Sequence, residues 1–152
     1  MVRVEPPFEF ERWAVSLVDG QSYEKQVGDK GIDGIVRFPL DKEMNLGRII
    51  VSVKGGRQLN PGMVRDLRGT VEAQNAAMGV LLTMHQPTSG MIKEANGSGS
   101  FVNPFTGRSY PELQILTVPD MFLGKRPNMP TPLLPYVKAP TFAGWQQSFD
   151  EM

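Results

Sequence analysis

The sequence predicts a single α/β domain with helices packed around a mixed sheet. Three observations carry this. The 152 residues suit one domain, and 40% of them are hydrophobic, enough for a core over most of the length. Apolar residues recur at helical spacing in some stretches and as short β-branched runs in others. These segments follow one another as helix, hairpin, helix, strand, helix, strand, with no internal repeat of the kind that marks a solenoid.

Pro6 and Pro7 precede Phe10, Trp13, Ala14 and Leu17, which recur at helical spacing and place a first amphipathic helix at about 8–18. Phe10, Trp13 and Leu17 read as its core face, and not as a surface for stacking bases. Asp19-Gly20 breaks this helix, and a polar, flexible segment follows to Gly31. Ile35, Val36 and Phe38, then Ile49, Ile50, Val51 and Val53, form two β-branched runs around a charged loop, the pattern of a hairpin. Asn60-Pro61 starts a second helix, with Val64, Leu67, Val71 and Met78 at roughly helical intervals, that runs to about Ala77, with Gly79 as its stop. Val80 to Met84 reads as a buried strand, and Thr88 caps a short helix from Gly90 to Ala95. A glycine- and serine-rich loop leads to a last strand at Gln114 to Val118 and a short helix around Asp120 to Leu123. From Pro127 onward Pro130, Pro132, Pro135 and Pro140 indicate an extended tail, so the domain is expected over 1–124 and a Pro-rich tail over 125–152.

Composition bounds the function. With no cysteine, disulfides, thiolate zinc sites and cysteine nucleophiles are excluded, and a cytoplasmic location is weakly favoured. No apolar run approaches the roughly 20 residues of a membrane helix, and no basic region followed by an apolar core opens the chain, so a soluble, unexported protein is expected. The formal net charge of zero excludes a uniformly basic coat for nucleic acid. That neutrality is unevenly distributed. Residues 1–47 are net −3, residues 48–68 net +4 and residues 69–152 net −1. A basic segment next to an acidic one suits a metal-dependent phosphodiester site, with carboxylates for the cation and guanidinium groups for phosphates; it equally suits a solvated helix face.

Asp33 lies immediately before the first hairpin strand, and Lys54 ends the second, two residues after Ser52. Adjacent antiparallel strands bring such positions close, and Glu11 of the first helix would add a second carboxylate. On spacing alone a surface ion pair between neighbouring strands is the better reading.

The order of five blocks narrows the choice: Phe10-Glu11-Arg12-Trp13-Ala14, Lys30-Gly31-Ile32-Asp33-Gly34, Ile50-Val51-Ser52-Val53-Lys54-Gly55-Gly56, Val64-Arg65-Asp66-Leu67-Arg68-Gly69 and Gly79-Val80-Leu81-Leu82-Thr83. Together, over roughly 8–124, they resemble the restriction-endonuclease-like fold, and within it the Mrr-like branch of the PD-(D/E)xK nucleases. The Ser-Val-Lys variant resembles domains appended to site-specific DNA methyltransferases. The resemblance implies a three-layer α/β/α core with a central mixed sheet. It implies Asp33 as metal-binding aspartate, Lys54 as catalytic lysine, Glu11 as supporting acid and the Val53 carbonyl as a further metal ligand. Mg2+ or Mn2+ would be the cofactor and DNA the substrate. Homodimer or methyltransferase-domain partners are further implications, since one site cuts one strand. Ser52 departs from the pattern: the family usually has Glu or Gln there, and a neutral hydroxyl is a poor ligand for magnesium. Glu72 is a candidate substitute acid or an exposed helix residue.

Other residues carry smaller expectations. Arg57, in the glycine-flanked loop after Lys54, is placed to contact DNA. Arg65 and Arg68 share a helix face and either reach phosphates or pair with Asp66 or Glu72. His85, the only histidine, reads as a loop residue, and Asp29 as a turn former or a support for Asp33. Trp145 and Phe149 are apolar anchors within the tail. Asn103-Pro104-Phe105-Thr106 lacks the context of an amino-methyltransferase motif, so no methyltransferase lies in this chain. Two functional readings follow: a metal-dependent DNA endonuclease of a restriction or restriction-modification system, or a catalytically weakened nuclease fold that binds DNA or a partner beside a methyltransferase. The third is an unrelated α/β protein with a surface ion pair.

Overall fold

A computed structural model describes residues 6–22 and 31–133. In chain order its elements are α1 (Pro6–Ser16), β1 (Gln21–Ser22), β2 (Gly34–Pro39), β3 (Leu46–Lys54), α2 (Pro61–Ala73), β4 (Met78–Thr83), α3 (Ser89–Asn96), β5 (Ser100–Val102), β6 (Ser109–Pro111), β7 (Leu113–Thr117) and α4 (Val118–Phe122). Five strands form one sheet in the order β1-β2-β3-β4-β7, antiparallel as far as β3 and parallel from β3 to β7; β5 and β6 pair separately.

This topology dictates the layers. β3-α2-β4 and β4-α3-β7 are successive parallel crossovers that step in the same direction, so their preferred handedness puts both helices on one face. That face buries Ile35, Ile50 and Leu81 under Val64, Leu67 and Val71 of α2 and Met91 of α3. The opposite face buries Val36, Phe38, Ile49, Val51, Val80 and Leu82 under Ala14, Val15 and Val18 and under Met121 of α4. β4 is buried along its whole length, as a central strand covered on both faces must be. The architecture is the expected three-layer α/β/α core around a mixed sheet.

Helix starts follow their sequence signals. The Asn60 side chain accepts from Met63 N–H at 3.2 Å and the Thr88 hydroxyl from Met91 N–H at 3.2 Å. The end of α2 differs from the expectation. Asn75, at φ 58°, turns the chain out after Ala73, and Met78 and Gly79 already belong to β4. Gly79 is not a helix stop: a Cβ there would meet Val71 and Leu113 side chains at 2.9 Å, so the residue lets helix and strand approach closely.

Three further differences concern the surface. The expected polar segment after Gly20 contains β1, and the expected glycine-serine loop contains the β5–β6 hairpin; both strands of that hairpin have three residues, too few to show a periodicity. On α1 and the turn after it, Ala14, Val15 and Val18 form the buried face, Phe10 and Leu17 pack against it partly buried, and Trp13 is 40% exposed. The register is set by Gly34, where a Cβ would lie 2.4 Å from the Val15 side chain. The proline-rich stretch begins as an extended strap. Pro127 and Pro130 are buried, Met129 packs on the α1-side core, Asn128 and Gln114 exchange two hydrogen bonds of 2.7 Å, and Leu133 N–H donates to the Arg37 carbonyl at 2.7 Å. Asp29, Lys30, Trp145 and Phe149 lie outside the described residues.

Candidate functional site

The site lies where β3 reaches its carboxyl end, the edge at which α/β sheets commonly offer a crevice. β2 begins at Gly34, paired with Val51, and Asp33 N–H continues the ladder onto the Val51 carbonyl at 2.9 Å. Past this point β3 has no β2 strand beside it. The Asp33 carboxylate takes that place: its Oδ2 accepts from Val53 N–H at 2.7 Å. In a strand the N–H and C=O of one residue face the same edge, so the Val53 carbonyl also faces the Asp33 side.

Glu11, midway along α1, completes the approach from the other layer. Burial pushes its carboxyl up to about 7; the charge of Asp33 and a hydrogen bond with the Asp33 side chain act in the same direction, and Lys54 opposes them. Glu11, Asp33 and Lys54 are thus brought together, although 43 positions of sequence separate the first from the last. Phe10 fixes this end of α1, its ring 3.0 Å from where a Gly55 Cβ would stand.

Side chains alternate along β3. Val51 and Val53 enter the α1-side core, so Ser52 and Lys54 face α2. There they line a cleft of about 570 Å³ together with Gly31, Ile32 and a row from α2. Ser52 is buried, at 3% exposure. Asp66 and Thr70 of α2 and Gln74 just past its end line this cleft as well, and the sequence reading did not place them there. Their spacing of four, out of phase with the buried Val64, Leu67 and Val71, was the available signal. Glu72 is exposed and does not line the cleft.

The arginines separate. Arg65 lines the cleft and pairs with Glu94 of α3 at 3.2 Å, with its side chain 57% exposed. Arg68 is bound more fully: it meets Glu94 Oε2 at 3.1 Å, the Glu94 carbonyl at 3.1 Å and the Ser98 hydroxyl at 3.0 Å. Glu94, not Asp66 or Glu72, is therefore the partner of both. Arg57 is exposed on the Gly55-Gly56 loop, and His85 follows β4 as a loop residue whose carbonyl accepts from Thr83.

As a place for a divalent cation, the cluster offers two carboxylates and the Val53 carbonyl, hard oxygen donors of the right kind. It falls short in charge. One Asp33 oxygen is engaged by Val53, Ser52 is neutral, and among the described residues no group of three His, Cys, Asp or Glu is placed to hold a metal ion. Among the described residues no helix is long and apolar enough to cross a membrane.

Comparison with known families gives a match over most of the described residues. The family described as "NACHT-associated inactive Restriction Endonuclease 1" covers residues 9–121, from within α1 to within α4, a span that includes Glu11, Asp33, Ser52 and Lys54. No curated protein and no solved structure matches the chain. The match establishes a restriction-endonuclease-like domain, and its description is that of an inactive one.

Proposed function

Because this chain belongs to the NACHT-associated inactive restriction endonuclease family, we propose that it is a nuclease-fold module that binds DNA at the Lys54 cleft without cutting it efficiently. The observation that carries this is Ser52, a buried neutral side chain beside Lys54 at the position where relatives of the Mrr-like type have Glu or Gln. With one carboxylate fewer, and with Glu11 pushed up to about 7, the site attracts a divalent cation weakly at neutral pH. Lys54 and Arg65 still line the cleft as phosphate contacts, and Arg57 stands exposed on the adjoining loop. Such a module serves as the nucleic-acid contact of a larger assembly. The family description suggests a NACHT domain as its companion, whereas the Ser-Val-Lys resemblance suggests a methyltransferase.

A second reading is favoured by the convergence of Glu11, Asp33 and Lys54. In it Asp33, Glu11 and the Val53 carbonyl would hold Mg2+ or Mn2+, which supplies Lewis-acid activation when bound, and Lys54 would stabilise charge on the phosphate. The chain would then be a DNA endonuclease of a restriction system.

One experiment separates the two. The full chain is incubated with supercoiled plasmid and Mg2+ or Mn2+, and duplex binding is followed by fluorescence anisotropy. The expected result is saturable binding that Lys54→Ala weakens, with no nicking above that of the Asp33→Ala and Lys54→Ala variants. Metal-dependent nicking that both substitutions abolish would establish the second reading in place of the first.

A further inference from the structure

Phe10 and Trp13 of α1 and Phe122 of α4 form a row that the core uses only at its Phe10 end. Trp13 lies 5.9 Å from Phe10 and 5.6 Å from Phe122 between ring centroids, at tilts of 44° and 35°. Trp13 is 40% exposed and Phe122 67% exposed, so ring surface stays in water although rings are the side chains that gain most from burial. At its inner end the row meets the cationic loop. Phe10 sits against Gly55, directly between Lys54 and the exposed Arg57, and Gly56 has open space around it, which lets a ligand approach the backbone.

We propose that this row is a stacking surface for the bases of an unpaired nucleic-acid strand, whose phosphates are met by Arg57 of the adjoining loop. The proposal rests on the reading of the cleft as a DNA contact and adds the form of nucleic acid. Two kinds of group adjoin here, and a single strand needs both: ring faces for bases and cations for the backbone. A duplex uses only the second, because its bases are already stacked on one another. The charge complementarity of the loop makes a nucleic acid the occupant. A purely apolar partner would match Leu123, at 83% exposure, but would leave the exposed Arg57 without a role.

The test uses the full chain with Trp145→Phe, which leaves Trp13 as the single tryptophan. A labelled oligothymidylate and a duplex of equal length are titrated, followed by anisotropy and tryptophan emission. Expected are quenching of Trp13 by the oligothymidylate and a loss of about tenfold or more in its affinity on Phe122→Ala. Duplex affinity should change less than about twofold, because stacking contributes nothing to it. Phe122 is mostly exposed, so the variant keeps its fold, which circular dichroism verifies. Arg57→Ala should weaken both ligands. Duplex binding with no preference loss on Phe122→Ala overturns this proposal and leaves the DNA-contact reading intact, while absence of binding to either nucleic acid overturns both. Self-association of the chain that Phe122→Ala abolishes would also overturn it and make the row a protein interface.

Discussion

The Asp33 carboxylate accepts a 2.7 Å hydrogen bond from the backbone N–H of Val53, and so occupies the position beside β3 that β2 has not yet reached. A residue placed by resemblance as a metal ligand therefore also closes a sheet edge. The hydrogen bond takes one of its two carboxylate oxygens, Oδ2.

This predicts that Asp33→Ala destabilises the fold as well as altering the site. Removing the acceptor leaves a part-buried N–H without its partner, a loss of about 1–3 kcal/mol. Asp33→Asn keeps an acceptor oxygen and should recover most of this. Urea denaturation of the two variants measures the difference; equal stability of Asp33→Ala and the parent would show that the bond contributes nothing.

Glu11 makes stability depend on pH in an unusual direction for a carboxylate. Its ordinary value of 4.5 in the unfolded chain rises to about 7 in the folded one, chiefly through burial and then through Asp33. The folded state thus holds a proton that the unfolded state releases. The contribution is fully present below pH 4.5 and is lost as pH rises towards 7. Glu11→Gln should flatten this part of the profile and stabilise the protein at pH 8 relative to the parent. Thermal melts of both proteins across the window provide the check, and parallel profiles would exclude the effect.

Glu94 should behave as the tie between α2 and α3. Arg68 makes a part-buried network with it and with Ser98, so Arg68→Ala should cost about 1–2 kcal/mol. Arg65 makes a single, mostly exposed ion pair, so Arg65→Ala should stay within about 0.5 kcal/mol. A double-mutant cycle with Glu94→Ala separates the two couplings. Equal effects of the two arginine variants would contradict the geometry.

Much of the site was legible in the chain because it depends on strand ends. Asp33 opens β2 and Lys54 closes β3, and the β-branched runs that mark these strands also mark their limits. Ser52 was legible for the same reason, as its position two before Lys54 fixes its face. The position of Asp66 at the cleft was harder to see, because a helix residue faces a cleft only by virtue of the phase at which the helix docks. The partner of Arg65 and Arg68 was missed because Glu94 is 26 positions from Arg68, beyond any local pattern. Trp13 was misplaced because the helical stripe is broad; the close approach at Gly34 rotates Val15 into the core, and the ring is left between Phe10 and Phe122.

The sequence by itself determined the α/β class, the order of the main elements, the helix caps Asn60 and Thr88, and the places of Glu11 on the first helix and of Asp33, Ser52 and Lys54 at the strand ends. These follow from periodicity, capping chemistry and the order of short blocks, which are local. Only the tertiary structure decided that Glu11 reaches Asp33, that Asp33 closes the sheet edge at Val53, that Glu94 occupies both arginines, and that residues 127–133 pass along the folded unit as a strap. Each of those depends on how layers dock, and docking is fixed by side-chain volumes at close contacts such as Gly34 against Val15, which no periodicity records.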